Sequence, residues 1–196
     1  MGYTAIFGGT FNPFHNGHYK MLEALQNDAL IDEIFIMPDR IPPHKECEYM
    51  PSDNDRIQMC KLVVSEFSKA KLCLIEFERE GKSYSYDTVL ELQKKYPDKD
   101  FVFVCGGDMF VYFPKWYRYE DLMKLLPFYV FTRVSTEKTE FFECVKQFGD
   151  MGMRIILNNA VIPNISSTDF RNSKNAALLP QKVYDYIKEK AIYGVR

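Results

Sequence analysis

Six short apolar runs punctuate the chain, at residues 3–7, 33–37, 72–77, 101–105, 128–132 and 154–157, with amphipathic stretches between them. Their starts fall 30, 39, 29, 27 and 26 residues apart. That spacing suits a strand–helix unit, because a parallel strand rejoins its sheet only through a crossover of about a dozen residues or more. The runs are apolar at almost every position. This predicts strands buried on both faces, as in a parallel sheet covered by helices.

Between the runs the period changes. Over 17–29, Leu22, Leu25 and Ala29 share one face and Glu23, Gln26 and Asn27 another. Ser52, with Asp55 three residues on, resembles a capping box and opens a helix through Met59, Leu62, Val63 and Phe67. Asp87 can cap a helix that runs to Tyr96 and stops at Pro97. Pro180 suits the first turn of a C-terminal helix with Val183, Tyr184 and Ile187 inward. The expected architecture is one α/β domain over 1–196, a mostly parallel sheet with helices on both faces and a small C-terminal helical part over about 166–196. In such a sheet the loops leaving the carboxyl ends of strands line the ligand crevice, so the informative residues follow each run.

Composition narrows the classes. The 27 acidic and 25 basic residues give a net charge of −2, which does not suit a protein that grips a nucleic-acid backbone. A local cluster still suffices for a small phosphate. No run approaches the roughly 20 apolar residues of a membrane span. The start, MGYTAIFGG, lacks the basic and long apolar regions of a signal peptide. Met1-Gly2 begins like a myristoylation signal, but the first strand needs those residues. Cys47, Cys60, Cys73, Cys105 and Cys144 are odd in number and scattered, with no CxxC pair, so neither a disulfide framework nor a zinc site is suggested. The expectation is a cytoplasmic protein with reduced thiols.

After the first run comes GGTFNPFHNGHYKML. Gly8 and Gly9 allow a tight turn and a close approach to a ligand. Gly17 and His18 lead into a helix whose first N–H groups and dipole favour an anion. His15 and His18, three apart, can face one side and hold a phosphate, strengthening their bonds as charge builds in a transition state. Alternatively they cap the helix and pack on a loop. A zinc site is a weaker rival, since the chain has only one further histidine, His44.

The stretch Gly8-Gly9-Thr10-Phe11-Asn12-Pro13-Phe14-His15-Asn16-Gly17-His18 resembles the GGTFDPxHxGH signature of the nucleotidyltransferase superfamily. Ile165-Ser166-Ser167-Thr168-Asp169-Phe170-Arg171, after the sixth run, resembles its second signature, ISSTxxR. The resemblance implies a Rossmann-like fold and transfer of a nucleotide to a phosphate or acid with release of pyrophosphate. It assigns Gly8, Gly9, Thr10, Phe11, His15, His18, Gly106, Asp108, Ser167, Thr168 and Arg171 to ATP, with His15, His18 and Arg171 catalytic. Asn12 stands where the family usually has Asp; it keeps the turn chemistry without the charge, and receives no catalytic role.

The middle of the chain bears on the acceptor. Lys45 in the Ile41-Pro42-Pro43-His44-Lys45 loop either reaches a phosphate or is a solvated surface charge. Glu78-Arg79-Glu80-Gly81-Lys82-Ser83-Tyr84-Ser85-Tyr86-Asp87-Thr88, after the third run, offers several hydroxyls at a helix start, suited to a small carboxylate. Trp116, the one tryptophan, either stacks on a flat heteroaromatic ring or fills the core. These segments, with Gly106-Gly107-Asp108 and Lys115-Trp116-Tyr117, resemble the nicotinate mononucleotide adenylyltransferase family, in family order and over nearly the whole chain. The resemblance implies that Trp116 stacks on the pyridine ring and that Ser85 and the Tyr117 backbone N–H bind its carboxylate. Asp39, where relatives often carry Asn, is expected to turn away from the phosphate or pair with Arg40 or Lys45.

Other residues stay open. Arg133 meets the adenine or ribose, or is a surface charge. Asp108 suits a ribose hydroxyl or a water near Mg²⁺. Arg56 is expected to pair with Asp55 or a neighbouring carboxylate, and the aromatic run 110–119 could form an oligomer surface. The expected reaction joins ATP and nicotinate mononucleotide into deamido-NAD, in NAD biosynthesis, with Mg²⁺ bound through the ATP phosphates and no protein metal ligand. Neither nucleic acid nor a membrane is an expected partner, and homo-oligomerisation stays open. Pantetheine-phosphate adenylyltransferase or another member of the superfamily is the alternative enzyme. A non-catalytic nucleotide sensor is the alternative of another class.

Overall fold

A computed structural model of the chain describes residues 2–43, 49–132 and 138–196. Its strands are β1 (Tyr3–Gly9), β2 (Ile31–Pro38), β3 (Ala70–Leu72), β4 (Phe101–Gly106), β5 (Phe128–Phe131) and β6 (Ile155–Asn158). All pair in parallel, in the order β3-β2-β1-β4-β5-β6. The helices are α1 (Asn16–Asn27), α2 (Asp53–Val64), α3 (Ser85–Lys95), α4 (Gly107–Val111), α5 (Tyr119–Leu125), α6 (Lys138–Asp150), α7 (Ser167–Ser173) and α8 (Gln181–Glu189). This is the expected Rossmann-like order, and it reverses direction between β1 and β4, where such sheets bind ligands.

The continuous apolar runs have the predicted cause. Ala5, Phe7, Ile34, Ile36, Val102 and Val104 enter one core, shared with Leu22 of α1, Met59 of α2 and Ile187 of α8. The alternate residues Ile6, Phe35, Met37, Phe103 and Cys105 enter a second core with Val89 of α3 and Leu122 of α5. Successive strand side chains point to opposite faces, so both faces must be apolar when both are covered.

The third run departs from expectation. β3 ends at Leu72, and Ile75–Phe77 forms a turn of 3₁₀ helix. Cys73 still donates to the Ile36 carbonyl at 2.9 Å. The next ladder donor on β2 would be Pro38, which has no N–H, so pairing cannot continue. Two of the expected helix starts also shift. Ser52 caps α2 as expected, accepting from the Asp55 N–H at 3.1 Å. By contrast, α3 begins after Tyr84, with Asp87 inside its first turn, and Pro180 occupies the N-cap of α8.

Candidate active site

His15 is the N-cap of α1. Its Nδ1 accepts from the N–H groups of Gly17 (3.1 Å) and His18 (3.3 Å), while its own N–H donates to His18 Nδ1 at 3.3 Å. The two side chains thus form a reciprocal capping box, and their rings stack 3.6 Å apart. With each Nδ1 accepting, the neutral rings carry their protons on Nε2, as donors. Capping and phosphate binding, posed as alternatives by the sequence, are compatible in this geometry. Gly17 is required here, because a Cβ would lie 2.9 Å from the His15 ring.

The second motif faces the first. Ser166 caps α7, in a box with Asp169: Ser166 N–H donates to Asp169 Oδ2 at 2.7 Å and Asp169 N–H to Ser166 Oγ at 3.2 Å. The Ser166 bonds hold the Asp169 carboxyl below its usual range. Ser167 Oγ donates to the Pro13 carbonyl at 2.9 Å, so its hydroxyl ties the motifs together. Arg171 donates to the Asn12 carbonyl (2.7 Å) and to Thr168 Oγ1 (2.8 Å).

Beneath the β1 and β2 ends lies a cation the sequence reading underestimated. Arg56 is wholly buried and donates to the carbonyls of Asp39 (2.6 Å), Thr10 (3.3 Å) and Arg40 (3.3 Å) and to Asp53 Oδ1 (2.7 Å). It also faces Asp39 Oδ1 at 3.4 Å, and Thr10 Oγ1 donates to Asp39 Oδ2 at 2.9 Å. Asp39 therefore pairs with Arg56 instead of Arg40, whose guanidinium reaches the Arg79 carbonyl at 3.1 Å. Asp55 accepts from Ser52 and Tyr186, not from Arg56. The signal was available: Arg56 shares the helical stripe of Met59, Cys60 and Val63, and a charge on a buried stripe demands buried partners.

On the other side, Ser83 Oγ accepts from the N–H groups of Arg40 (3.1 Å) and Ile41 (3.3 Å), fixing the loop after β2 against the start of α3. Trp116 lies edge-on to Phe103 and Phe113, each 5.6 Å away, and its buried Nε1 has no hydrogen-bond partner. It packs on the second core and also borders the cavity. Glu76, unremarked in the sequence reading, is 5% exposed; Oε1 accepts from Thr88 Oγ1 at 2.8 Å and Oε2 lacks a partner. Burial raises its carboxyl pKa, the Ser83 and Thr88 hydroxyls oppose this, and the Asp39 carboxylate adds to the rise.

One cavity of about 310 Å³ opens at the β1/β4 reversal. Its walls take Gly8, Gly9, Thr10, Phe11, His15 and His18 from the first motif and Ser167, Thr168 and Arg171 from the second. Gly106 and Asp108 after β4, and Ser85, Trp116 and Tyr117, also line it. Lys45, His44 and Arg133 lie outside the described residues. The aromatic run 110–119 divides: Phe110 and Phe113 are core, while Tyr112 and Tyr117 are 42% and 47% exposed. Among the described residues no three His, Cys, Asp or Glu side chains cluster to hold a metal, and no helix is long and apolar enough to cross a membrane.

Residues 6–173, which build this parallel sheet and its cleft, match the cytidylyltransferase-like family. The fold also aligns, with a TM-score of 0.80, to Plasmodium falciparum nicotinic acid mononucleotide adenylyltransferase in complexes with APC and with NaAD. Those alignments cover 100% of this chain and 99% of the other, at 20% and 21% identity, and bear on the fold alone. A Bacillus subtilis (strain 168) protein named nicotinate-nucleotide adenylyltransferase is 38% identical over 197 residues, 96% of each chain. The chain belongs to the nicotinate-nucleotide adenylyltransferase family within the cytidylyltransferase-like proteins.

Proposed function

We propose that this protein transfers the adenylyl group of ATP to nicotinate mononucleotide, forming deamido-NAD and pyrophosphate, as a cytoplasmic enzyme of NAD biosynthesis. The observation that carries the reading is convergence: both sequence motifs and Trp116 border one cavity. The mononucleotide phosphate attacks the α-phosphorus of ATP, the new P–O bond forms as the α–β bridge breaks, and pyrophosphate leaves with the electron pair. An ionised phosphate is already a nucleophile near neutral pH, so positioning and charge neutralisation supply most of the acceleration.

In this reading the Nε2 protons of His15 and His18 meet the ATP phosphates, and Arg171 and the first turn of α7 hold the leaving side. Gly8, Gly9, Thr10, Phe11 and Gly106 admit the adenosine. Asp108 meets a ribose hydroxyl or a water near the metal. Ser85 and the Tyr117 N–H take the nicotinate carboxylate, Trp116 stacks on the ring, and Lys45 is assigned to the mononucleotide phosphate from the sequence alone. Mg²⁺, when bound, offsets polyphosphate charge. The donor set fits an ion carried by phosphate oxygens and water, since Asp39 is already engaged by Thr10 and Arg56.

Pyrophosphate release from ATP and Mg²⁺ tests the reading, with nicotinate mononucleotide, nicotinamide mononucleotide or phosphopantetheine as acceptor. The nicotinate form should exceed the nicotinamide form by a wide margin in kcat/KM, because donors arranged for a carboxylate are left unpaired by the amide. Release with phosphopantetheine alone would assign the cleft to another acceptor, and nucleotide binding without release would favour the sensor reading.

A further inference from the structure

The segment after α8 has an unusual backbone. Ala191, Tyr193 and Gly194 have φ of 52°, 56° and 72°, so two residues with side chains occupy the left-handed region. Such conformations persist where the surroundings over-determine them. Here the result is a tyrosine turned inward: Tyr193 is 6% exposed and stands edge-on to Phe170 of α7, with ring centroids 5.7 Å apart. Its hydroxyl donates to Asn12 Oδ1 at 2.7 Å. Tyr193 thus touches one residue of each motif, yet is not among the residues bordering the cavity.

Asn12 is the junction of this contact. It is 2% exposed, donates from Nδ2 to the Tyr49 carbonyl at 3.0 Å, and offers its own carbonyl to Arg171 at 2.7 Å. A carboxylate in its place could accept from Tyr193 but could not donate to Tyr49, which gives the amide at this position a physical reason.

We propose that Tyr193 is a positioning residue: through Asn12 its hydroxyl holds the first-motif loop at a fixed spacing from the helix that carries Arg171. Burial keeps the Tyr193 hydroxyl protonated far above the usual tyrosine range, so it remains a donor throughout the working pH range. The inference rests on the adenylyl-transfer reading, in which the two motifs must grip one polyphosphate together. Donors aimed at developing charge lose much of their effect when displaced by an ångström, about 10²-fold in rate.

The test compares Tyr193→Phe, Asn12→Leu, the double variant and Asn12→Asp in the full-length chain, by steady-state kinetics and thermal midpoint. Tyr193→Phe keeps the ring and removes only the donor. It should lower kcat about tenfold while KM for nicotinate mononucleotide stays within about twofold. Asn12→Leu, which also loses the donation to the Tyr49 carbonyl, should fall at least as far, and the double variant should be no slower than Asn12→Leu, because the Tyr193 contact is already absent from it. Asn12→Asp keeps the acceptor and should stay within about threefold of the unmodified rate. A folded Tyr193→Phe with unaltered kcat overturns the inference, as does a double variant whose loss is the product of the singles. If one variant fails to fold, kcat of the other against Asn12→Asp decides the question: equal rates overturn the inference. Absence of turnover in the unmodified chain overturns the underlying reading as well, which separates the two failures.

Discussion

The two ends of the cavity are built differently. At the end proposed to hold phosphate, local structure already orients the polar groups: His15 and His18 cap one another, Ser167 reaches Pro13, and Arg171 joins Asn12 to Thr168. At the end proposed to hold the acceptor, two buried polar atoms have no hydrogen-bond partner, Trp116 Nε1 and Glu76 Oε2. The difference follows from what each end must do. Donors that stabilise a transition state act best when reorganisation is small. A recognition end can instead keep apolar surface and a few polar groups for the ligand to complete.

The contrast can be broken by substitution. His18→Ala removes one donor and the acceptor that orients His15; kcat for pyrophosphate release should fall about 10²–10³-fold with little change in KM for the mononucleotide. A near-normal kcat would make the histidine pair a helix cap alone. Trp116→Ala should act on the other parameter, raising KM for nicotinate mononucleotide about tenfold while KM for ATP stays nearly constant. Equal changes in both would reduce Trp116 to scaffold.

A smaller effect sharpens the acceptor end. The Glu76 carboxyl has a raised pKa in the folded chain, chiefly through burial. A raised carboxyl binds its proton more tightly when folded, so its stabilising contribution is complete below the unfolded carboxylate range and is lost as pH rises through the folded value. Glu76→Gln should therefore gain in thermal midpoint relative to the unmodified chain as pH increases from 5 to 8. Parallel midpoint curves would show that Glu76 does not titrate differently on folding.

What the sequence made legible, and what it hid, divides along physical lines. The sheet was readable because strands covered on both faces leave continuous apolar runs, and the motif residues because glycine, histidine and hydroxyl types cluster just after strands. The end of β3 was hidden in a missing N–H on the neighbouring strand, at Pro38, a relation between elements distant in sequence. Arg56 was visible in principle, as a charge on an apolar helical stripe. Glu76 and Tyr193 were not: one sits in a short irregular turn and the other after the last α-helix, and only the packed chain brings them to the cleft and its motifs. The pairing of Asp39 likewise depends on α2 closing beneath the β2 end.

In the proposed arrangement one cleft holds a polyphosphate at one end and a pyridine ring against Trp116 at the other. Trp116 is the sole tryptophan, so all indole emission reports on that position. Titration with nicotinate mononucleotide should change this emission saturably, with a midpoint near the kinetic KM, whereas ATP with Mg²⁺ should leave it nearly unaltered. Unchanged emission at mononucleotide concentrations that support turnover, or an equal response to ATP, would contradict the account.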